Sequence, residues 1–149
     1  MGYDFDWVTP RLATGSQING QADLQELVAC GVTAIIDCTT YQERVGAETP
    51  GMRYLWNPTR DDGEPKPVSW FAISLGFALP ILTQPRERVL AHCQSGIDRG
   101  PSTIYAILRA LGWDGTDAVD LIHRARPETC DGIAYAGDAD HAITLLGFD

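Results

Sequence analysis

The sequence predicts an α/β domain with a central, mostly parallel sheet of four to five strands flanked by helices. Three observations carry that expectation. Short apolar runs alternate with stretches of helical periodicity, glycines and prolines punctuate the changes, and no repeat, low-complexity tract or polar linker divides the chain. At 149 residues, the span 1–149 fits one domain of ordinary size.

Arg11–Thr14 reads as a short strand closed by Gly15. Ala22–Cys30 places Leu24, Leu27 and Val28 at helical spacing and stops at Gly31. A strand over Thr33–Cys38, built on Ala34-Ile35-Ile36, follows at once. Arg53–Trp56 reads as another strand and leads into a loop, Asn57–Pro67, rich in acid and glycine. Ser69 is the expected cap of a helix holding Trp70, Phe71, Ile73, Phe77 and Ala78, which Pro80 is expected to kink or end. Arg88–His92 is a short buried strand. Ile104, Ile107, Leu108 and Leu111 mark a helix closed by Gly112. Ala118, Leu121, Ile122 and Ala125 mark the next, capped by Asp114 or Thr116. Ala139–Leu146 predicts a last short helix. Parallel sheets bind ligands at the C-terminal ends of their strands, so chemistry is expected in the loops after Cys38, Trp56 and His92.

With 44% hydrophobic and 21% charged residues, the chain is neither disordered nor fibrous. Eleven basic against twenty acidic side chains give a net charge of −9, the wrong sign for following nucleic acid or an anionic membrane. An anionic substrate must be captured locally. No apolar run reaches the ~18–20 residues of a membrane span, and the start, Met1 to Asp6, lacks a signal-peptide pattern, so a cytoplasmic location is expected. Cys30, Cys38, Cys93 and Cys130 form neither a Cys-x-x-Cys pair nor a disulfide framework, which points to a reactive cysteine among them. His92, His123 and His141 lack ligand spacing; no metal and no cofactor are expected.

After the Arg88–His92 strand the chain reads His92-Cys93-Gln94-Ser95-Gly96-Ile97-Asp98-Arg99-Gly100-Pro101-Ser102. A loop entering a helix N-terminus turns successive backbone N–H groups inward and so forms a nest for a phosphate-sized anion. Gln94, Ser95, Gly96, Ile97 and Asp98 supply that cradle, with Gly96 permitting the sharp turn. The same donors stabilise a thiolate at Cys93. Arg99 returns to the loop mouth, where its planar guanidinium can bind two phosphate oxygens. His92 is expected to order the loop through hydrogen bonds.

This His-Cys-x5-Arg loop resembles that of the cysteine-dependent protein phosphatases, specifically the small dual-specificity branch. The resemblance extends along nearly the whole chain. Trp7-Val8-Thr9-Pro10-Arg11-Leu12-Ala13-Thr14-Gly15-Ser16 is similar to that branch's opening strand, and Cys30-Gly31-Val32-Thr33-Ala34-Ile35-Ile36-Asp37 to its helix-to-strand step. Asp61-Asp62-Gly63-Glu64-Pro65 resembles its acid loop, and also the Asp-Asp-Gly-x-Pro loop of the phosphatases of regenerating liver. The resemblance implies hydrolysis of phosphotyrosine, and of phosphoserine or phosphothreonine where a short chain leaves the pocket shallow. Cys93 would be the nucleophile of a cysteinyl-phosphate intermediate and Arg99 the phosphate ligand. An upstream Asp would donate the proton to the leaving group.

Asp62 aligns with the acid of the regenerating-liver loop and is the first choice, with Asp61 as a substitute. Asp98 is a third candidate, because Cys-x-x-Gly-x-Asp-Arg also resembles myotubularin loops in which the Asp beside the Arg is implicated in acid catalysis. One departure stands out: Gly100 replaces the Ser or Thr that most members place after the Arg to ease departure of the thiolate. A slow second step is expected, with Ser102 and Thr103 either compensating or serving as plain first-turn hydroxyls.

Tyr41, Arg44, Arg60 and Lys66 are the residues offered for the pocket walls, and Arg124 and Arg126 either flank the phosphate or complement the helix dipole. The loop holds no lysine, which favours a phosphoprotein partner over an inositol lipid. The alternatives are a phosphatase of another phosphomonoester, an inositol phosphate or an RNA 5′ end, or a phosphate-binding module with little turnover. Cys38 is either an inert strand cysteine or a reversible disulfide partner for Cys93.

Overall fold

The structure, a computed structural model, describes residues 2–149. Five strands form one sheet: β1 (Phe5–Thr9), β2 (Leu12–Gly15), β3 (Ala34–Asp37), β4 (Arg53–Trp56) and β5 (Val89–His92), in the order β1-β2-β5-β3-β4. β1 runs antiparallel to β2; every other pairing is parallel. β5 is central, and its four residues are all buried, because helices cover both faces of the sheet. His92 lies level with Gly15 of β2 and with Asp37 of β3. The chain therefore leaves three neighbouring strands at one height, and Cys93 emerges between the loops that follow the other two.

Six helices complete the domain: α1 (Gln21–Ala29), α2 (Arg44–Glu48), α3 (Val68–Leu82), α4 (Arg99–Ala110), α5 (Gly115–Ala125) and α6 (Ala136–Leu145), with a 3-10 turn at Pro127–Asp131. The period-2 alternation of a strand divides the core in two. Ala13, Ile35 and Leu90 meet Leu24 and Leu27 of α1 on one face. Leu12, Ile36 and Ala91 meet Phe71, Ile104, Ile107 and Ile143 on the other. α4 is the central helix, buried from Arg99 to Leu108, and it starts directly at the functional loop.

Four local features differ from the sequence expectation. β1 is a separate edge strand whose pairing is interrupted between Trp7 and Thr9, and the Asp residues around Phe5 mask its apolar pattern. α2 spans only five residues and is too short to show a period; the Glu43 carboxylate accepts from the Gly46 N–H to start it. α3 begins at Val68 behind Pro67, without a side-chain cap at Ser69, and runs through Pro80 to Leu82. Pro80 is tolerated because it stands in the last turn, where the one hydrogen bond it forfeits is that to the Gly76 carbonyl. α6 starts at Ala136 rather than Ala139. Asp114, not Thr116, caps α5, its Oδ1 accepting from the Thr116 N–H at 2.7 Å. Among the described residues no helix is long and apolar enough to cross a membrane.

Candidate active site

Cys93 is the first residue after β5 and is 1% exposed, at the base of the loop that leads into α4. What the loop presents can be read from its carbonyls. Gln94 O accepts from the Gln17 N–H at 3.0 Å. Ser95 O accepts from Arg126 Nη2 at 3.1 Å, and Gly96 O from Arg126 Nε at 2.8 Å. Ile97 O accepts from the Ile133 N–H at 3.0 Å. In a trans peptide the C=O of one residue and the N–H of the next point in opposite directions. Four successive carbonyls drawn toward the surrounding elements therefore turn the N–H groups of Ser95, Gly96, Ile97 and Asp98 to the inside of the turn. That is the anion nest of the sequence reading, produced by named partners.

Gly96 makes this turn at φ 72°. A Cβ there would stand 2.6 Å from Arg126 Nη2 and 2.8 Å from the carbonyl carbon of Gly15, so conformation and space both require glycine. Arg126 itself is 1% exposed. Besides the two loop carbonyls, its guanidinium donates to Asp4 Oδ1 and Oδ2, each at 2.9 Å, and to Asp6 Oδ2 at 3.0 Å. The bonds from Arg126 hold the Asp4 carboxyl below the usual carboxylate range. One buried side chain thus ties the loop to the segment entering β1.

Arg99 opens α4 and is 6% exposed. Its Nη1 donates to Thr59 O at 2.9 Å and to Cys38 O at 3.4 Å, contacts supplied by the loops after β4 and β3. Its Nε is buried without a hydrogen-bond partner. An unpaired buried donor costs about 1–3 kcal/mol, more when charged, and an incoming acceptor removes that cost. The guanidinium is thus oriented along one side and unsatisfied at Nε.

His92 is fully buried beside Cys93; neither ring nitrogen makes a well-formed hydrogen bond, and Nε2 stands 3.7 Å from Asp37 Oδ1. Burial pushes the imidazole pKa down, against the pull of Asp37. Asp37 is already saturated, accepting from the Thr39 N–H and hydroxyl, the Glu43 N–H and the Tyr54 hydroxyl. Cys38 lies on the nucleophile's side of the sheet, in the same buried cluster as Cys93. Its Sγ is 3.5 Å from Thr103 Oγ1, and burial pushes its thiol far up, so it stays protonated. Both first-turn hydroxyls of α4 have structural partners: Thr103 donates to Arg99 O, and Ser102 accepts from the Tyr135 N–H.

The three candidate acids are held differently. Asp62 pairs with Lys66 Nζ at 2.9 Å, and that bond, with the Glu64 N–H, pulls its pKa down. Asp98 accepts from the Ala134 N–H at 3.0 Å. Asp61 Oδ1 accepts from the Tyr135 hydroxyl at 2.8 Å, and that hydroxyl accepts in turn from the Gly63 N–H at 3.1 Å. The segment Gly132–Tyr135 thus touches the nucleophile loop, α4 and the acid loop. It contains Ile133 at φ 59°, the one non-glycine with positive φ among the described residues. A β-branched residue in that region is strained by about 1–3 kcal/mol and persists only where its surroundings over-determine it.

No family model matches. Over 138 residues the chain is 33% identical to human dual specificity protein phosphatase 2, covering 87% of this chain and 40% of that protein. The chain thus spans about 40% of the length of this curated relative. A mouse putative dual specificity phosphatase complexed with zinc tungstate shares the fold with a TM-score of 0.83 at 21% identity, over 98% of this chain and 90% of that one. The human tyrosine phosphatase-like serine/threonine/tyrosine-interacting protein does so with a TM-score of 0.77 at 18% identity, over 97% and 98%. The chain is thus similar in sequence to a dual-specificity phosphatase and shares the fold of solved members of that group.

Gly100, where the family that the chain resembles mostly has Ser or Thr, has a packing reason here. A Cβ at Gly100 would lie 3.0 Å from Ala91 O and 3.1 Å from Thr14 Oγ1, because α4 starts hard against β2 and β5. The residues expected to wall the pocket separate. Tyr41 and Arg44 line a cavity of about 370 Å³ with Gln17, Asn19, Thr39 and His92. Arg60 is exposed, whereas Lys66 is turned inward onto Arg60 O and Asp62. Arg124 is exposed on α5. Arg126 is neither a phosphate flank nor a dipole partner but a brace for the loop, and Tyr135 carried no signal in the sequence. For Arg126 the available hint was a cation following the apolar stripe of α5, facing a segment with Asp4 and Asp6.

Proposed function

We propose that the chain is a phosphoprotein phosphatase that hydrolyses phosphotyrosine, and phosphoserine or phosphothreonine, through a phosphocysteine intermediate. The observation that carries this reading is the ring of inward N–H groups above Cys93, completed by the unpartnered Nε of Arg99. Nothing on the loop but an oxyanion matches four amides and a guanidinium.

In the first step the Cys93 thiolate attacks phosphorus, the P–O bond to the substrate breaks, and the departing oxygen takes a proton from an acid-loop Asp. In the second, water attacks the phosphocysteine, the S–P bond breaks with return of the thiolate, and the same Asp, now a carboxylate, takes the proton of that water. We assign the proton to Asp61 in place of Asp62. Lys66 favours the carboxylate of Asp62, the wrong direction for a donor, and Asp98 belongs to the nucleophile loop rather than to the acid loop. Asp61 follows Thr59, whose carbonyl accepts from Arg99, by two residues, so the acid loop reaches the phosphate-binding side chain just before it.

The absence of a cation at Gln94, Ser95, Ile97 and Asp98 supports a phosphoprotein over an inositol phosphate. Four free cysteines fit a reducing, cytoplasmic setting. Gly100 favours slow breakdown of the intermediate, which would bring turnover toward that of a binding module. The test uses an aryl phosphate, phosphopeptides and inositol phosphates. Cys93→Ser is expected to abolish hydrolysis, and rapid mixing to show a burst of the first product. Asp61→Asn is expected to slow turnover about 100-fold and erase the basic limb of the pH–rate profile, with Asp62→Asn keeping it. Hydrolysis surviving in Cys93→Ser would reject the function, and a retained basic limb in Asp61→Asn would reject the assignment of the acid.

A further inference from the structure

We propose that Tyr135 is a positioning residue for the proton donor Asp61, held in place by the strained segment Gly132–Tyr135, which clips the acid loop to the nucleophile loop. The proposal rests on the phosphatase reading above and deepens it.

Three consecutive backbone N–H groups of the clip are committed to one side. Ile133 donates to Ile97 O, Ala134 to Asp98 Oδ1, and Tyr135 to Ser102 Oγ, at 3.0, 3.0 and 3.3 Å. Gly132 allows this approach, since a Cβ there would fall 2.4 Å from Ile97 Cγ2 and 2.5 Å from Ile97 O. The left-handed conformation of Ile133 then turns the chain so that the side chain two residues on, Tyr135, faces the acid loop.

The phenol has one proton and a fixed direction for it. Because its oxygen accepts from the Gly63 N–H at 3.1 Å, its own hydrogen is left for Asp61 Oδ1 at 2.8 Å. Burial pushes its pKa up to about 12, so it stays an O–H donor across the working range. A carboxylic acid whose Oδ1 is engaged this way carries its own proton on Oδ2, and rotation of the carboxyl is suppressed. Lys66 reinforces the joint: its Nζ stands 4.7 Å from the centre of the Tyr135 ring, and its N–H donates to Asp138 of α6 at 3.0 Å. The donor is thereby placed by the same segment that sets the Ile97 carbonyl, so acid and nest share one reference.

A residue that acts on proton delivery has a signature that a structural residue lacks, namely dependence on how badly the leaving group needs a proton. Tyr135→Phe in the full chain is expected to lower kcat/KM for phenyl phosphate about 10-fold while changing it less than about 3-fold for an activated ester such as difluoromethylumbelliferyl phosphate. In an Asp61→Asn background the same change is expected to add nothing. Tyr105→Phe, which removes another tyrosine-to-carboxylate bond, that to Asp140, serves as the control for general loosening and is expected to leave the ratio of the two substrates unchanged. An equal loss on both substrates, or a full additional loss in the Asp61→Asn background, would overturn the role of Tyr135. Both results leave the nucleophile untouched, and only the Cys93→Ser test speaks against the phosphatase itself.

Discussion

The nucleophile loop and the acid loop do complementary work but are fastened in different ways. Over 94–97 every carbonyl has a partner, supplied by backbone N–H groups and one guanidinium that is 1% exposed. Over Asp61–Glu64 the chain is exposed and is fastened by a tyrosine hydroxyl and a lysine ammonium. Bonds between buried backbone elements hold their geometry most tightly; bonds from a buried side chain to a carboxylate on an exposed loop fix that carboxylate locally but leave the rest of the loop freer to move. The difference teaches that anion capture is built into the folded chain, whereas proton delivery can adjust to the substrate.

The sharpest way to break this contrast is at Arg99. Arg99→Lys retains the charge but loses the planar fork, and is expected to lower kcat/KM about 1,000-fold with little change in thermal stability. A loss under 10-fold would mean that the backbone nest suffices alone. Arg126→Met tests the fastening without touching the phosphate: releasing the Ser95 and Gly96 carbonyls is expected to raise the inhibition constant of inorganic phosphate and lower kcat/KM, each about 10- to 100-fold. Unchanged phosphate affinity would show that the nest holds without its brace.

The smallest effect concerns the buried imidazole between the loops. Burial holds the folded His92 pKa below the ordinary ~6.5, so between those values the unfolded chain binds a proton that the folded chain does not. Stability from this source is complete above pH ~6.5 and is lost as pH falls toward the folded value. Melting temperature measured from pH 8 to 5 is expected to decline less steeply in His92→Gln than in the parent. Parallel declines would assign the acid sensitivity elsewhere.

The parts of the fold visible in the sequence were those with local causes. The runs Ala34-Ile35-Ile36 and Val89-Leu90-Ala91 are buried on both faces, and α4 and α5 carry their periods openly. The loop from Cys93 to Arg99 was legible because glycine and helix geometry act over a few residues. What stayed hidden depends on partners far along the chain: Arg126 on Asp4, and Tyr135 on Asp61. The choice among Asp61, Asp62 and Asp98 was hidden because it turns on contacts with Tyr135, Lys66 and Ala134 that exist only once the chain is folded. β1 was obscured by the acidic residues at its start, the ones that Arg126 requires.

The salt-bridged entry to β1 has a practical corollary. Asp4 precedes and Asp6 lies within an edge strand, far along the chain from Cys93, yet their charge neutralises the cation that shapes the amide cradle. Replacing both carboxylates, as in Asp4→Asn with Asp6→Asn, would leave the hydrophobic interior intact while slackening its grip on phosphate. Such a variant would melt like the parent and still be a poor catalyst.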